Sequence, residues 1–252
     1  MTNSRRILFT AIAAPLALAL AACGGSDEED ALAGEPVAAV AAPAGSSWSE
    51  QVSRNDDGAW IVGNPDAPIT LTEYGSLTCP ACANFSQQAT ASLHADYIES
   101  GRVKFEFYSV PVHGIIDVML TRLLECGPET AAIPLADQLW ANNGPVQANF
   151  QANGAALQQA YELPQDQRYA AMADVGGLIE FFASRGISRD QAMVCLSDSA
   201  AIDTMIERME RVNNEAGVNS TPTFFLNGRR LDDTSWSAVE PALQRAGARP
   251  AE

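Results

Sequence analysis

The residues most open to a chemical reading are Cys79-Pro80-Ala81-Cys82. Apolar positions recur from there as Cys82, Phe85, Ala89, Leu93 and Tyr97, three or four apart, which predicts a helix. Pro80 suits its first position, and Gly101 supplies a stop. Cys79 thus meets the unpaired N–H groups and the positive dipole end of a helix N-terminus. Both favour thiolate over thiol, and the thiolate is the attacking species. Cys82 lies one turn on, on nearly the same face, where it can resolve a mixed disulfide or close the ring. Cys79 is therefore the expected nucleophile and Cys82 the resolving thiol. A structural zinc site wants four ligands, commonly in close pairs. Cys126 and Cys195 are singletons, and His94 and His113 have no ligand spacing, so no metal and no separate cofactor is expected. A plain structural disulfide between Cys79 and Cys82 is the remaining alternative.

Glu73 precedes the nucleophile by six residues. In Ile69-Thr70-Leu71-Thr72-Glu73-Tyr74 it shares strand parity with Ile69 and Leu71, so it points to the apolar side. A carboxyl buried there has a raised pKa and can pass a proton to or from Cys82. Lys104, the single lysine of the chain, is its expected partner on the next strand.

These residues need a scaffold. Ile69–Tyr74 alternates like a strand, the helix from Cys79 follows, and Val103–Tyr108 alternates again. That order predicts a βαβ unit with a parallel strand pair. Thr223–Leu226, then Asn227-Gly228, then Arg229–Leu231 predicts a hairpin, because both turn positions of Asn-Gly tolerate positive φ. A last helix is expected near Ser235. Residues 115–217 pattern almost wholly as helix, with Ser188-Arg189-Asp190-Gln191 as a capping box. The fold class is α/β, with a helical insertion at about 112–216 inside one domain, residues 48–252.

The N-terminus bears on location. Arg5-Arg6 and the apolar run Ile7–Ala22 predict a signal peptide over residues 1–22. Leu20-Ala21-Ala22-Cys23-Gly24 resembles a bacterial lipobox, which implies lipidation of Cys23. Residues 23–47 are acidic and then rich in Ala, Gly and Pro without amphipathic period, and are expected to act as a flexible tether. The net charge of −16 argues against nucleic acid as a partner and offers no attraction to anionic lipid. Attachment to a membrane then falls to the lipid.

Gly63-Asn64-Pro65-Asp66-Ala67-Pro68, Glu73-Tyr74-Gly75-Ser76, Cys79-Pro80-Ala81-Cys82 with Phe85, and Gly217–Phe225 together resemble the DsbA-like branch of the thioredoxin superfamily. The likeness covers about 48–246. It implies a thioredoxin fold with an inserted helical subdomain. It also implies a cis Thr221–Pro222 bond facing Cys79, with the Thr221 backbone free to pair with an extended substrate. Some relatives bridge two insertion cysteines, which implies a structural Cys126–Cys195 disulfide. One position departs: the strongest oxidants of the family carry histidine before the second cysteine, and here Ala81 stands there. A less depressed Cys79 pKa and a less oxidising couple are expected.

The function expected is an extracytoplasmic thiol–disulfide oxidoreductase. It would be lipid-anchored in a bacterial envelope, monomeric, and act on exported protein thiols. A membrane redox partner would recycle it. Dithiol oxidation is the first reading. Isomerisation or reduction by the same residues is the second. A non-catalytic lipoprotein holding copper on Cys79 and Cys82 is a third.

Overall fold

A computed structural model describes residues 32–249. The expected signal peptide, Cys23 and the first part of the tether lie outside the described residues. Six strands form one sheet in the order β1-β2-β4-β3-β5-β6. They are β1 (Val52–Arg54), β2 (Trp60–Val62), β3 (Ile69–Gly75), β4 (Val103–Ser109), β5 (Thr223–Leu226) and β6 (Arg229–Arg230). The βαβ unit is present: β3 pairs with β4 in parallel, Ile69 opposite Val103 and Glu73 opposite Phe107. Between them runs α1 (Pro80–Ser92), followed by a π-helical turn, Leu93–Ile98. The single helix expected through Tyr97 therefore changes winding at Leu93.

β5 pairs antiparallel with the other side of β3, Glu73 opposite Phe224 and Tyr74 opposite Thr223. The Asn-Gly hairpin forms as expected, with φ of 50° at Asn227 and 78° at Gly228. Asn227 also ties the turn to β3, since its Oδ1 accepts from Thr70 N at 2.9 Å. The last helix of the described residues is α10 (Trp236–Arg245). Its Trp236 packs edge-on against Phe85 of α1, which in turn lies 4.3 Å from Phe224 of β5.

The insertion holds eight helices among the described residues. They are α2 (Ile115–Glu125), α3 (Glu129–Ala141), α4 (Asn143–Ala152), α5 (Gly154–Tyr161), α6 (Gln165–Val175), α7 (Leu178–Ala183), α8 (Arg189–Ser197) and α9 (Ser199–Glu215). Glu125 of α2, its side chain 6% exposed, receives Arg54 of β1, Arg122 of its own helix and Arg208 of α9, which ties insertion to sheet. Ser188 caps α8 by accepting from Gln191 N at 3.3 Å. The reciprocal half of the capping box does not form, because the Gln191 side chain donates instead to Cys126 O at 2.5 Å.

Cys126 and Cys195 are joined as a disulfide, with Cα atoms 6.2 Å apart and a sequence separation of 69. It links the end of α2 to α8. Among the described residues no helix is long and apolar enough to cross a membrane.

The described part of the expected tether lies along the domain. Gly34 N donates to Arg245 O and Val37 N to Gly247 O, each at 2.8 Å, and Val40 N donates to Ser100 O at 2.9 Å. Trp48 Nε1 holds Val40 O at 2.7 Å. The segment's own backbone groups make these bonds, to backbone and side-chain partners alike. Carbonyls left over at the end of α10 and after the π turn find donors in this extended segment. Composition alone carries no signal for such pairing.

Candidate active site

Three segments converge at one end of the sheet: the turn leaving β3, the first turn of α1, and the turn entering β5. Cys79 is the N-cap residue of α1, with Pro80 at its first turn. Its backbone is fixed on both sides, N donating to Ser76 O at 3.2 Å and O accepting from Ala83 N at 3.0 Å. The Thr221–Pro222 bond is cis, and the Cys79 sulfur lies 3.4 Å from Thr221 O. Cys82 is completely buried, and both cysteines are free thiols.

The two thiols are electrostatically unequal. The Cys79 pKa is lowered to about 5. The hydrogen bond from the Cys82 thiol is the main cause; burial opposes it, and Thr221 and the Cys82 and Ala81 N–H groups add to the lowering. The Cys82 thiol is pushed up strongly, first by that same bond, then by burial and by the negative charge of Glu73. Ala81 brings no charge; the lowering comes chiefly from the Cys82 thiol, with the first-turn N–H groups the smallest contributors. A value of about 5 falls between the roughly 3.5 and 7 typical of strongly oxidising and reducing members of this chemistry.

Glu73 sits on the buried face its parity required, 2% exposed. Its carboxyl is held well above the usual range by burial, then by Asp137 and Cys79. Gly75 follows for a steric reason: a Cβ there would come within 2.7 Å of Glu73 Oε1 and 2.8 Å of Phe107. Lys104 is not the partner of Glu73. It pairs in register with Thr70, and its Nζ donates to Pro65 O at 3.2 Å on the surface. Its parity, opposite to that of the apolar positions of β4, sends it to the other face.

A second buried acid escaped the sequence reading. Asp117 of α2 is fully buried and gathers the turn before Cys79. Its carboxylate accepts from Ser76 Oγ at 3.0 Å, Thr78 N at 3.1 Å, Thr78 Oγ1 at 2.9 Å and His113 N at 2.8 Å. Burial raises its pKa and these bonds oppose the rise. His113 lies in a turn and meets Thr78 Oγ1 through Nδ1 at 2.7 Å. Two more insertion side chains brace the same turn: Trp140 Nε1 donates to Ser76 O, and Gln147 Nε2 to Thr78 O, each at 3.0 Å. An Asp in an apolar helical stretch (Ile115-Ile116-Asp117-Val118-Met119-Leu120) was the available signal.

The family model described as Thioredoxin matches residues 55–245. The chain belongs to the thioredoxin family. It is 23% identical over 195 residues to a putative protein-disulfide oxidoreductase of Rickettsia bellii, covering 76% of this chain and 65% of that one. The chain thus spans just under two thirds of the length of that relative. A solved structure named as a protein-disulfide isomerase from Novosphingobium aromaticivorans superposes with a TM-score of 0.68 at 25% identity, over 75% of this chain and 98% of that one. The α-DsbA1 structure of Wolbachia pipientis gives a TM-score of 0.60 at 18% identity, over 74% of this chain and 89% of that one, and shows the same fold. The thioredoxin fold with a helical insertion, and the DsbA-like resemblance, are thereby established.

Proposed function

We propose that this protein is an enzyme that exchanges disulfides with exported proteins and chiefly oxidises their dithiols. The observation that carries the reading is the asymmetric pair. An acidified Cys79 caps a helix opposite Thr221, while Cys82 is sealed beneath it beside a buried acid. In the oxidising direction a substrate thiolate attacks Cys79 of the Cys79–Cys82 disulfide. The electrons of the broken bond leave on Cys82, which takes a proton from Glu73. A second substrate thiolate then attacks the substrate sulfur of the mixed disulfide, which forms the product disulfide and expels Cys79 as a thiolate, leaving the enzyme reduced. Stabilising Cys79 as thiolate favours the reduced enzyme, and hence oxidation of the substrate. Thr221 offers its backbone to an extended substrate chain at the turn into β5.

The location proposed is the bacterial envelope outside the cytoplasm, with Cys23 as the lipid-bearing residue and a membrane redox partner that reoxidises Cys79 and Cys82. The name of the Novosphingobium relative favours a second reading, isomerisation, in which reduced Cys79 attacks a substrate disulfide. Equilibration of the Cys79–Cys82 couple with glutathione tests the direction. A potential of about −120 to −180 mV is expected, and one near −270 mV contradicts the oxidase reading.

A further inference from the structure

Glu73 Oε1 has no hydrogen-bond partner, and Glu73 borders a narrow cavity of about 20 Å³. That volume accommodates one water molecule. The other polar groups on its wall are Ser86 and Thr90 of α1, His94 of the π turn and Asp137 of α3. Asp137 comes from the helical insertion and is held by α1: Ser86 Oγ donates to its Oδ1 at 2.8 Å and Thr90 Oγ1 at 3.2 Å. Glu73 is sealed, whereas Asp137 and His94 are only partly buried. A π turn places His94 at this wall, and such turns often mark functional positions.

We propose that Asp137 carries protons between Glu73 and solvent, so that the helical insertion takes part in the resolving step. The inference rests on the exchange reaction proposed above. When the Cys79–Cys82 bond breaks under attack by a substrate thiolate, the electron pair departs on Cys82. The Glu73 carboxyl protonates that sulfur and is left as a carboxylate in an apolar site. A proton from bulk water must restore it. Asp137, reached through the cavity, hands its proton to Glu73 and regains one at the surface, with His94 beside it. In the reducing direction each transfer reverses.

The charges around the cavity favour this route. The groups facing Glu73 are Cys79 and Cys82 from α1 and Asp137 from α3, while β4 presents Phe105 and Phe107. No cation in this set holds Glu73 ionised. Two carboxyls on one small cavity resist being charged together, so loss of the proton from one draws a proton to the other. Burial raises the Asp137 pKa against the bonds from Ser86 and Thr90 and the charge of His94, and burial lowers that of His94. Asp137 is thereby brought toward neutral pH, where a relay works best, while His94 is biased toward its uncharged form.

The test is D137N, which keeps an acceptor oxygen for Ser86 and Thr90 and cannot pass a proton. Rapid-quench kinetics follow resolution of a Cys79–peptide mixed disulfide across pH for wild type, D137N and E73Q. E73Q is expected to slow resolution at least 100-fold and D137N roughly 10-fold, with one ionisation lost from the D137N profile. Alkylation of Cys79 should keep its pH midpoint in D137N. Carboxyl NMR should show the Glu73 titration moving down once the Asp137 charge is gone. S86A/T90V, which strips Asp137 of its donors and keeps its carboxyl, should shift the same ionisation upward. A D137N profile and a Glu73 titration both identical to wild type overturn the proposal. Absence of exchange in wild type instead overturns the reading of function, and the NMR titration still reports whether the two carboxyls are coupled.

Discussion

Replacement of Asp117 probes how the insertion fixes the nucleophile. The fully buried carboxylate satisfies four donors: two hydroxyls and the backbone N–H groups of Thr78 and His113. In D117A the hydroxyls can re-route. Thr78 N can turn wholly to Ser76 Oγ, which already lies at 3.2 Å. His113 N cannot, and it becomes an orphan worth about 1–3 kcal/mol. The emptied space beneath the turn adds about 1–2 kcal/mol. Against this stands relief from burying a charged group, the cause of the raised Asp117 pKa. The net expectation is about 2–4 kcal/mol lost, or a fall in Tm of roughly 5–15 °C for a domain of this size. The fold should survive, since domains typically hold about 5–15 kcal/mol. D117N keeps one acceptor oxygen and should recover about half. The same variants should raise the pH midpoint of Cys79 alkylation, because a loosened turn no longer aims the first-turn N–H groups at the sulfur. Thermal melts paired with iodoacetamide rates read both effects. A D117A protein that melts within about 2 °C of wild type and alkylates identically would refute this account of the turn.

Removing the Cys126–Cys195 bond in C126A/C195A releases a loop spanning 69 positions, and the chain-entropy relation gives a cost of about 4 kcal/mol. Denaturant melts should show it, while exchange through Cys79 persists below the new midpoint; a loss under about 1 kcal/mol would contradict a structural role. Glu73 should make stability fall with rising pH. Its folded pKa lies above the unfolded value of about 4.3, so between those two values the native state binds the extra proton, and that contribution fades as pH climbs through the folded pKa. Asp117 and Asp137 act in the same sense. E73Q should therefore be more stable than wild type at pH 8 and show a flatter profile; an E73Q protein less stable at pH 8 than at pH 5 by as much as wild type would rule this out.

Short-range patterns made much of this site legible. Period-two alternation placed β3 and β4 and turned Glu73 inward, and helical spacing from Cys79 placed both thiols on α1. Asn227-Gly228 located the hairpin that carries Pro222 to the site. What escaped depends on contacts distant in sequence. Asp117, Trp140 and Gln147 reach the Ser76–Thr78 turn from 41, 64 and 69 positions away, and no local period encodes that meeting. β1 and β2 have three residues each, too few for a period to emerge. Lys104 was assigned by charge pairing against its own parity, and the pleat decided otherwise. The segment from Gly34 to Val40 docks through backbone groups, which every sequence has.

Trapping the mixed disulfide tests the central claim most directly. C82S protein with a cysteine-containing unfolded substrate under mild oxidation should accumulate a covalent adduct on Cys79, found by peptide mass spectrometry. C79S should accumulate none, because Cys82 is buried and its thiol is held protonated. An adduct on Cys82 in C79S at a comparable rate, or no adduct in C82S, would contradict the assignment of Cys79 as nucleophile and Cys82 as resolving thiol.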